Sequence, residues 1–553
     1  MTSTTSTLRL QSAAPALLFA FLSTALCRQA LEPGRILGFF TGEAWGRSFV
    51  TRQLLRWLTA KAPFGTADLI NAPDGQRLWP IDPALQLIQL PAEALLGAGQ
   101  GLAVAAVFVL FFSGYATHRL CRTLGAPESS STSAGLVVMV APYLLRNLQD
   151  AVLEATAVGF IAFAIEQMVR VHHTPAPRRR WAATGGAVLL LAGVSPYYTV
   201  YLALGCAVLA GLTWRRWRVW AGIAGVSALA CLLALGPLLW AEAGDNGRFL
   251  IQGYELVPGP LVYPGSDVPI RRPMPGLSPV EMPPWRTVIH RIPGGAAVMA
   301  ATVLGLILPG GRRWALGGAV FFLAGPGVTA SMRAAGGMNV PMVSPLQSLL
   351  GALPLTDTLG NPDRVFAGWI LLVAVGASLA GRGRLRWLLA AIGAFAVFEA
   401  HLTFPGLLAP STPVSVEPAV LDALKGPTVV FPSGDFGIFH PKVAPKEALF
   451  LAASAEVAVA ADYGRLRVPA DHGIQMALSA AAHVVVSARA PDLSADRAAT
   501  FRSVLLLEDR LKPSSRTKAR QWLQDQGGVE VASGETMSAW RVSLSGPVSG
   551  SAQ

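Results

Sequence analysis

The sequence predicts an α-helical polytopic membrane protein of about eleven spans, followed by a C-terminal extracytoplasmic α/β domain. Of the 553 residues, 52% are hydrophobic and only 14% are charged, and the mean hydropathy is +0.47. The chain is therefore far more apolar and less charged than an average soluble domain, which indicates a bilayer as the solvent. Long apolar runs recur up to residue 404, whereas the sequence beyond residue 405 has short runs and balanced charge. We therefore divide the chain into a membrane domain, 1–404, and a soluble domain, 405–553, whose last residues we expect to be disordered.

Eleven apolar runs are candidates for membrane spans. A helix needs about 20 apolar residues to cross a bilayer, so the runs at 133–148 and 182–194 are the short ones. We interpret the first run as an uncleaved helix because many further runs follow it. The runs lie at 13–31, 94–118, 133–148, 151–171, 182–194, 196–212, 219–241, 294–309, 314–330, 364–380 and 385–404.

The arginines between the runs predict the orientation. If Met1 is cytoplasmic and all eleven runs cross, every Arg cluster falls on the cytoplasmic side, as the positive-inside rule requires. The sequence thus predicts an integral membrane protein with a cytoplasmic N-terminus and an extracytoplasmic C-terminal domain. The clusters are Arg119 with Arg122, Arg178–Arg180, Arg215–Arg218, Arg312 with Arg313, and Arg382–Arg386.

The net charge of +12 has the same explanation. Residues 405–553 contain 14 basic and 14 acidic residues, so the whole excess, 30 over 18, lies in residues 1–404. There it is concentrated in the short links between apolar runs, which is a feature of topology and not of a polyanion-binding surface. We predict contact with membrane lipid and no nucleic-acid partner.

Three long segments fall outside the membrane in this scheme. Segment 32–93 carries six acidic and six basic residues, and we expect a structured loop over one mouth of the helix bundle. Segment 242–293 is rich in proline and glycine, which predicts an irregular loop. Segment 331–363 mixes apolar turns with prolines, which is consistent with a re-entrant or interfacial hairpin before the next span.

The C-terminal part alternates helical and strand patterns, which predicts an α/β domain. TVVFP and AHVVVSA resemble buried strands, and VEVAS with SAWRVSL resembles a closing strand pair. His440 and His472 lack spaced ligand partners, so we interpret them as ordinary surface or packing residues. The predicted helices are VEPAVLDALKG, RAATFRSVLLLEDRL and SSRTKARQWLQDQGG.

Polar residues near the runs give the first site candidates. Pro196 removes a backbone donor and should end a helix, which places Tyr197 and Tyr198 at a turn, either in an interfacial aromatic belt or facing the outer loops. Arg364 begins a late run, where it could bind a phosphate or merely anchor to lipid headgroups. Glu154 is kept as a candidate because a buried acid in a membrane protein is costly and often functional.

Two further acids near the runs have a simpler explanation. Glu166 and Glu399 lie near the ends of runs, where a carboxylate could reach water.

Motif searches are largely negative. The sequence has no phosphate-binding P-loop, no GxGxxG after a strand, no HExxH and no GxSxG, and its four cysteines offer no CxxC pair. What the chain does show is an early helix followed by a long outer loop, APDG leading to IDPALQLIQLP, then SPYYTVYLAL, and LGALPLTDTLGNPDRVFAG before a late helix. In these features it resembles the GT-C superfamily of polytopic membrane glycosyltransferases, in particular poorly characterised bacterial members.

This resemblance implies a function. GT-C enzymes transfer sugars from polyprenyl-phosphate donors and use an acid in the first outer loop, in some members with a divalent cation such as Mg²⁺ or Mn²⁺. By position, Glu43 in TGEAWGR matches that acid, with Asp74 and Asp82 as further catalytic candidates. A carboxylate can take the proton from an acceptor hydroxyl while a cation or an Arg stabilises the departing phosphate. The chain has Glu where the family's stronger versions have Asp, and it lacks a DxD or ED pair, so no metal ligand is assigned.

Other functions are compatible with the same sequence. The three acids could be solvated or capping residues, and Asp74–Gly75 is a natural turn pair. The chain could also be a transporter or lipid-handling protein, or a non-catalytic scaffold whose tail binds an envelope protein. Transporters often show inverted repeats and central charges, and neither is evident here.

Overall fold

The computed structural model describes most of the membrane part and much of the tail. The described residues are 4–38, 43–69, 75–80, 82–97, 99–173, 178–212, 216–243, 294–324, 332–333, 339–340, 362–414, 416–432, 447–460, 472–482 and 500–542. Most of the Pro-rich segment 242–293 and most of segment 331–363 therefore lie outside the described residues.

Helices dominate residues 1–404. The helices here are α1 (Thr4–Cys27), α2 (Ala44–Leu58), α3 (Pro83–Leu96), α4 (Gln100–Thr123), α5 (Glu128–Met139), α6 (Pro142–Gln149), α7 (Leu153–Thr156), α8 (Val158–His173), α9 (Arg178–Val194), α10 (Pro196–Leu212), α11 (Trp217–Ala243), α12 (Gly295–Ile307), α13 (Arg312–Ala324), α14 (Phe366–Ala380) and α15 (Leu385–Thr403). Short strands accompany them: β1 (Arg35–Leu37), β2 (Thr66–Ala67), β3 (Gln76–Arg77), β4 (Met332–Arg333) and β5 (Asn339–Val340).

Helix α4 lies at the centre of the bundle. It packs against α1, α3, α5 and α8, while α14 packs against α5, α12 and α13. Small residues allow the close approach: a side chain at Gly159 would collide with the backbone of Phe112 at 2.4 Å, and one at Gly135 with the Phe19 ring at 2.5 Å. Bundles in lipid are held largely by such tight packing, because lipid tails are as apolar as the helices.

Four of the described helices are long and apolar enough to cross a membrane by length and composition. They are Ala13–Leu31, Gln100–Thr123, Trp217–Pro237 and Leu385–Leu402. The other predicted runs form shorter or broken helices, so the count of eleven spans stays a prediction.

Two of the predicted runs are interrupted. Residues 133–148 divide between α5 and α6, where Pro142 begins the second helix, and residues 151–171 divide between α7 and α8. The predicted break at Pro196 is confirmed, since α9 ends at Val194 and α10 begins at Pro196. Each interruption exposes backbone groups that neighbouring side chains can use, and the break around α7 contributes to the candidate site.

Segment 32–93 is more regular than a loop. It contains α2 and α3, and the antiparallel pair β2–β3 lies between them. Helix α2 buries Trp45, Phe49, Gln53 and Trp57, which recur every four residues and form one face. The charged residues on its other faces hide this pattern when the segment is judged by its overall polarity.

The tail contains a mixed sheet with the strand order β7 (Thr428–Phe431), β8 (Ser503–Leu507), β10 (Met537–Arg541) and β9 (Val529–Ser533). Strands β7 and β8 are parallel, and β10 is antiparallel to both of its neighbours. The strands predicted at TVVFP, VEVAS and SAWRVSL are therefore confirmed. Three helices, Pro418–Leu421, α17 (Glu447–Ala455) and His472–Ala481, precede β8, and Pro513–Asp525 follows it.

One helix predicted in the tail is wrong. RAATFRSVLLLEDRL contains β8, whose five residues are all buried. An apolar run that is buried on both faces has no periodicity, so SVLLL alone does not distinguish a central strand from a buried helix. The predicted helix VEPAVLDALKG is reduced to a single turn, Pro418–Leu421, whereas the helix in SSRTKARQWLQDQGG is confirmed as Pro513–Asp525. Most of AHVVVSA, together with His440, lies outside the described residues.

The tail packs onto segment 32–93. Strand β1 pairs with β6 (Ser411–Pro413), and α2 packs against α17. The ring of Phe450 on α17 meets Trp45 edge-on, with 5.2 Å between the ring centroids. Since Gly38 after β1 has a φ of +95° and a Cβ there would lie 2.7 Å from the Gln149 carbonyl oxygen, this strand also lies tightly against the end of α6.

Candidate functional site

A buried chain of charged side chains joins the outer helices to the bundle. It begins at Arg47, in the first half of α2, whose side chain is only 6% exposed. The two terminal nitrogens of its guanidinium donate to different carboxylates, Nη1 to Asp82 and Nη2 to Glu154. Asp82 immediately precedes α3 and does not cap that helix with its side chain, and Glu154 lies on α7. A single guanidinium therefore ties three elements together.

Glu154 continues the chain to Arg364. Its second oxygen, Oε1, lies 3.0 Å from Nη2 of Arg364, at the turn before α14. The central guanidinium carbon of Arg364 in turn lies 4.9 Å from the centroid of the Tyr197 ring, which is a cation–π arrangement. The order of contacts is thus Asp82, Arg47, Glu154, Arg364 and Tyr197.

The buried charges compensate one another. Two carboxylates and two guanidinium groups sum to zero, and all four side chains are at most 10% exposed. Buried ions are costly to desolvate, so a cluster of this kind is a weak source of stability. It does hold each member in one orientation, which is what a binding or reacting group requires.

Polar neighbours fix the Asp82 end of the chain. Gln86 donates from Nε2 to Asp82 Oδ1 at 3.3 Å, and the Thr51 hydroxyl donates to Gln86 Oε1 at 2.5 Å. Thr51 lies one turn after Arg47 on α2, and Gln86 lies one turn after Asp82 on α3. The facing turns of the two helices therefore carry matched polar residues.

Glu43 lies at the entrance to this cluster. It immediately precedes α2 and is exposed, whereas Asp82 and Glu154 are buried. Its backbone N–H donates to the Asp150 carbonyl at 2.8 Å, and its own carbonyl accepts from the Arg47 N–H at 3.1 Å. The exposed carboxylate thus belongs to a residue one helical turn before Arg47 and next to the segment that leads to Glu154.

The two tyrosines have buried positions. Tyr197 and Tyr198 are 8% and 1% exposed, which contradicts the interpretation of both rings as an interfacial belt. The Tyr198 hydroxyl donates to the Ala155 carbonyl, so α10 is joined to α7 directly beside Glu154. Ser195 and Pro196 break the helix at the point that allows these rings to turn into the protein.

An apolar cavity of about 270 Å³ lies inside the bundle. Its lining includes Tyr198, which follows Tyr197, and Gly368, one turn after Arg364. The α8 side of the cavity extends from Ile161 to His173, which corresponds to roughly 18 Å of helix. Tyr198 thus both lines the cavity and donates to the Ala155 carbonyl beside Glu154.

Five of these residues were predicted from the sequence as site candidates, and one, Arg47, was not. The structure places Asp82, Glu154, Arg364, Tyr197 and Tyr198 together and puts Glu43 beside them, whereas Asp74 lies outside the described residues. The lipid-headgroup interpretation of Arg364 is inconsistent with its 5% exposure. Arg47 was not predicted. Its only signal in the sequence is its position on α2, adjacent to the buried face that Trp45, Phe49 and Gln53 define.

The two remaining in-run acids have structural partners. Glu166 is fully buried and accepts from Arg119, Arg170 and Thr123, and Glu399 is 1% exposed and accepts from the N–H groups of Ala296 and Ala297 at the start of α12. The expectation that both acids reach water is therefore wrong. Both satisfy local donors and lie on elements away from the charged chain.

The residues around the cluster do not fit a divalent cation. No group of three or more His, Cys, Asp or Glu that could hold a metal ion occurs among the described residues. Asp82 and Glu154 are the two carboxylates that converge, and the Arg47 guanidinium already lies between them.

Comparison with solved structures identifies the fold. The mycobacterial arabinofuranosyltransferase AftD matches with a TM-score of 0.57 and 14% identity, over 97% of this chain and 40% of that one. A mutant AftD structure gives a TM-score of 0.53 and 15% identity, over 96% and 41%. The apo oligosaccharyltransferase of Archaeoglobus fulgidus gives a TM-score of 0.45 and 14% identity, over 89% and 69%. No family model and no curated protein sequence matches.

These matches establish the architecture. The chain has the fold of AftD, in agreement with the resemblance to the GT-C superfamily. It spans about two fifths of the AftD chain.

Proposed function

We propose that this protein is a membrane glycosyltransferase that moves a sugar, or a related group, from a polyprenyl-phosphate-linked donor to an acceptor of the cell envelope. The observation that carries the proposal is the buried Arg364 guanidinium, which Glu154 holds one helical turn before Gly368, a residue that lines an apolar cavity. A lipid-linked donor combines an anionic phosphate with a long apolar chain, and this arrangement offers complementary surroundings for both.

Arg364 is the group that binds the donor phosphate in this proposal. A guanidinium carries five N–H donors in a planar fork, so it can bind a carboxylate and a phosphate oxygen together. The phosphate gains negative charge as the sugar leaves, and a fixed cation beside it stabilises that charge more in the transition state than in the ground state. Glu154 and the Tyr197 ring hold the guanidinium in place.

The cavity accommodates only a short part of the polyprenyl chain, and the rest of the chain extends into the surrounding lipid. Its walls come from α8, α10, α13 and α14, and it contains aromatic side chains such as Tyr201, Trp314 and Phe321. Each buried methylene of a lipid chain contributes roughly 0.8 kcal/mol of binding free energy. The apolar length beside Arg364 therefore favours a lipid-linked donor over a soluble nucleotide sugar.

Glu43 is the leading general base, with Asp82 and Asp74 as the alternatives. Glu43 is exposed, on the side from which an acceptor hydroxyl would arrive in this proposal. Asp82 and Glu154 are buried, and one carboxylate oxygen of each accepts from Arg47. In this proposal Glu43 accepts the proton and the buried cluster orients Arg364.

The proposed location follows from the positive-inside pattern. We place the N-terminus in the cytoplasm and the site and tail on the extracytoplasmic side of the bacterial inner membrane. An envelope protein bound through the tail is compatible with this orientation.

The proposal is tested by transfer from polyprenyl-phosphate-linked sugars, beginning with arabinofuranose, by the purified protein in lipid nanodiscs with envelope glycans as acceptors. Wild type should transfer sugar, and Glu43→Gln should reduce the rate by about 100- to 10,000-fold, which is the usual contribution of a general base. Glu32→Gln serves as the matched control because Glu32 is another exposed acid of the same segment. Full activity of Glu43→Gln would assign the base to another acid.

Donor binding is tested separately with undecaprenyl phosphate, monitored by native mass spectrometry. Arg364→Ala should weaken binding by roughly 10- to 100-fold, because a hydrogen bond to a charged group contributes about 1.5–3 kcal/mol. Gly205→Leu, which points a larger side chain toward the Phe321 wall of the cavity, should weaken binding of the long lipid more than that of a short-chain phosphate. A wild-type protein that binds no polyprenyl phosphate at all would exclude the transferase.

A further inference from the structure

Arg47 occupies an unusual position between two buried carboxylates. Asp82 is 1% exposed and Glu154 is 8% exposed, and they come from elements that are distant in sequence. Each receives a separate terminal nitrogen of the same guanidinium. Two converging acids in an outer loop and an adjacent helix are the arrangement in which a divalent ion would be expected, yet a side chain of this protein lies at the point of convergence.

We propose that Arg47 is a built-in cation that takes the place of a divalent metal ion at this site, so that Asp82 and Glu154 do not bind Mg²⁺ or Mn²⁺ and donor binding is independent of metal. This inference rests on the proposed function for its last part. Its first part, the occupancy of the two carboxylates, concerns the chain alone.

The charge balance supports the substitution. Asp82, Glu154, Arg47 and Arg364 sum to zero, so a divalent ion added to them would leave two uncompensated charges in a buried region. Desolvating such charge costs several kcal/mol per ion even after relaxation of the protein. A metal ion could enter only by displacing Arg47, which would then itself be a buried cation without its two carboxylates.

The geometry favours an arginine over other cations. The planar guanidinium fork places two N–H groups in different directions, whereas a lysine presents a single point charge. The Thr51 hydroxyl donates its single proton to Gln86 Oε1 at 2.5 Å and also lies 3.1 Å from the Arg47 carbonyl oxygen, and Gln86 donates to Asp82. This closed loop of contacts holds both the guanidinium and its first carboxylate in position.

Arg47 acts on the donor through another residue. It binds Glu154 Oε2, and Glu154 Oε1 binds Arg364, so the guanidinium of Arg47 sets the orientation of the group that we assign to the phosphate. Arg47 is therefore a positioning residue and not a phosphate ligand. A metal ion would place its charge directly beside the reacting phosphate, whereas Arg47 fixes the orientation of Glu154 and, through it, of Arg364.

The experiment measures Mn²⁺ binding to the full-length protein in nanodiscs by electron paramagnetic resonance, with affinity tags removed. Wild type should show no saturable Mn²⁺ site that depends on Asp82. Arg47→Ala should gain one such site, because the cation between Asp82 and Glu154 is then missing and Arg364 compensates only one of the two carboxylates, and Arg47→Ala combined with Asp82→Asn should lose it again. A wild-type Mn²⁺ site abolished by Asp82→Asn would overturn the proposal, as would a folded Arg47→Ala protein that gains no site.

A second measurement keeps the test decisive if Arg47→Ala does not fold. Arg47→Lys retains a cation but cannot reach both carboxylates in the same way, so undecaprenyl phosphate should bind it about 10-fold more weakly than wild type. Wild-type binding of that lipid should be unchanged by EDTA or by added Mg²⁺, and a loss in EDTA that Mg²⁺ restores would contradict metal independence. If the wild type binds no lipid under any condition, the proposed function fails, while the Mn²⁺ result still decides the role of Arg47.

Discussion

At the scale of single residues, the protein buries charged side chains at positions where apolar side chains would cost less free energy of desolvation. The buried pairs of Arg47 contribute little net stability, because desolvation offsets most of their attraction. Removing one member is a different matter, since it leaves an unpaired buried charge and typically costs about 3–5 kcal/mol. The arrangement therefore suits a site that must stay in one geometry more than it suits a core.

A second buried acid of the outer helices makes a pH-dependent prediction. Glu93 on α3 is 4% exposed, and burial raises its pKa to about 7 although Arg52, with Nε 3.7 Å away, opposes that shift. Because the folded-state pKa lies above the unfolded value of about 4.3, the folded protein binds the proton more tightly. Stability should fall as the pH rises from about 4.3 to about 7.

Glu93→Gln removes this cost. We expect its melting temperature to exceed that of wild type at pH 8 and the difference to shrink towards pH 5, as measured by differential scanning fluorimetry in detergent. Glu456→Gln is the control, because Lys61 lowers the pKa of that exposed carboxyl and the variant should bring no gain at pH 8. An equal gain at both pH values would show that charge on Glu93 is not the cause.

Sequence reasoning found the residues that stand out against an apolar background. Glu154, Tyr197 and Arg364 interrupt or begin apolar runs, so their polarity is visible without the structure. Arg47 lies in a segment that already contains many charges, and nothing local distinguishes a buried arginine from a solvated one there. Only the fold shows that its helix packs against α3 and α17.

At the scale of elements, α2 is the helix that contacts both α3 and the tail helix α17. It carries Arg47, contacts α3 through Thr51, and packs against α17 of the tail through Trp45. Arg52 adds a contact to the tail by lying 5.1 Å from the Phe450 ring centroid and donating to the Ser454 hydroxyl at 2.8 Å. The charged helix that resembled part of a loop is thus the connection between bundle and tail.

Aromatic packing should dominate this interface over its ion pairs. Phe450→Ala removes a fully buried ring and should destabilise the protein by about 3–5 kcal/mol. Lys61→Gln breaks an exposed pair with Glu456 and should cost less than about 1 kcal/mol. Thermal unfolding in detergent and limited proteolysis at the α2–α17 contact would measure both, and similar losses for the two variants would contradict this ranking.

At the scale of the whole molecule, the overall fold was predicted from the sequence more accurately than the division of the chain into individual helices and strands. The apolar helices of the bundle, the break at Pro196 and the closing strand pair of the tail all have local signals in composition, proline position or alternation, and the GT-C fold was implied by the family resemblance. The strand β8 and the division between α7 and α8 do not, because both depend on what surrounds them. The domain boundary at residue 405 and the number of spans stay predictions.

The orientation is open to a direct test. Reporter fusions after Gly381, in the link between α14 and α15, and after Gly426, before β7, should report opposite sides of the membrane, because one candidate membrane span, α15, lies between them. We expect the first in the cytoplasm and the second outside. Cytoplasmic signals from both positions would disprove the proposed topology.

The pairing of β1 with β6 also affects how the protein is made. Arg35 pairs with Pro413 and Leu37 with Ser411, so β1 is synthesised early and can pair only after the last helix of the bundle has been synthesised. Glu154 is likewise synthesised well before its partner Arg364. During synthesis the nascent chain therefore has an unpaired β1 edge until the tail is made, and Glu154 has only Arg47 as its partner until Arg364 is made. A chain that ends before residue 411 keeps the unpaired edge, and one that ends before residue 364 also leaves Glu154 without its second arginine.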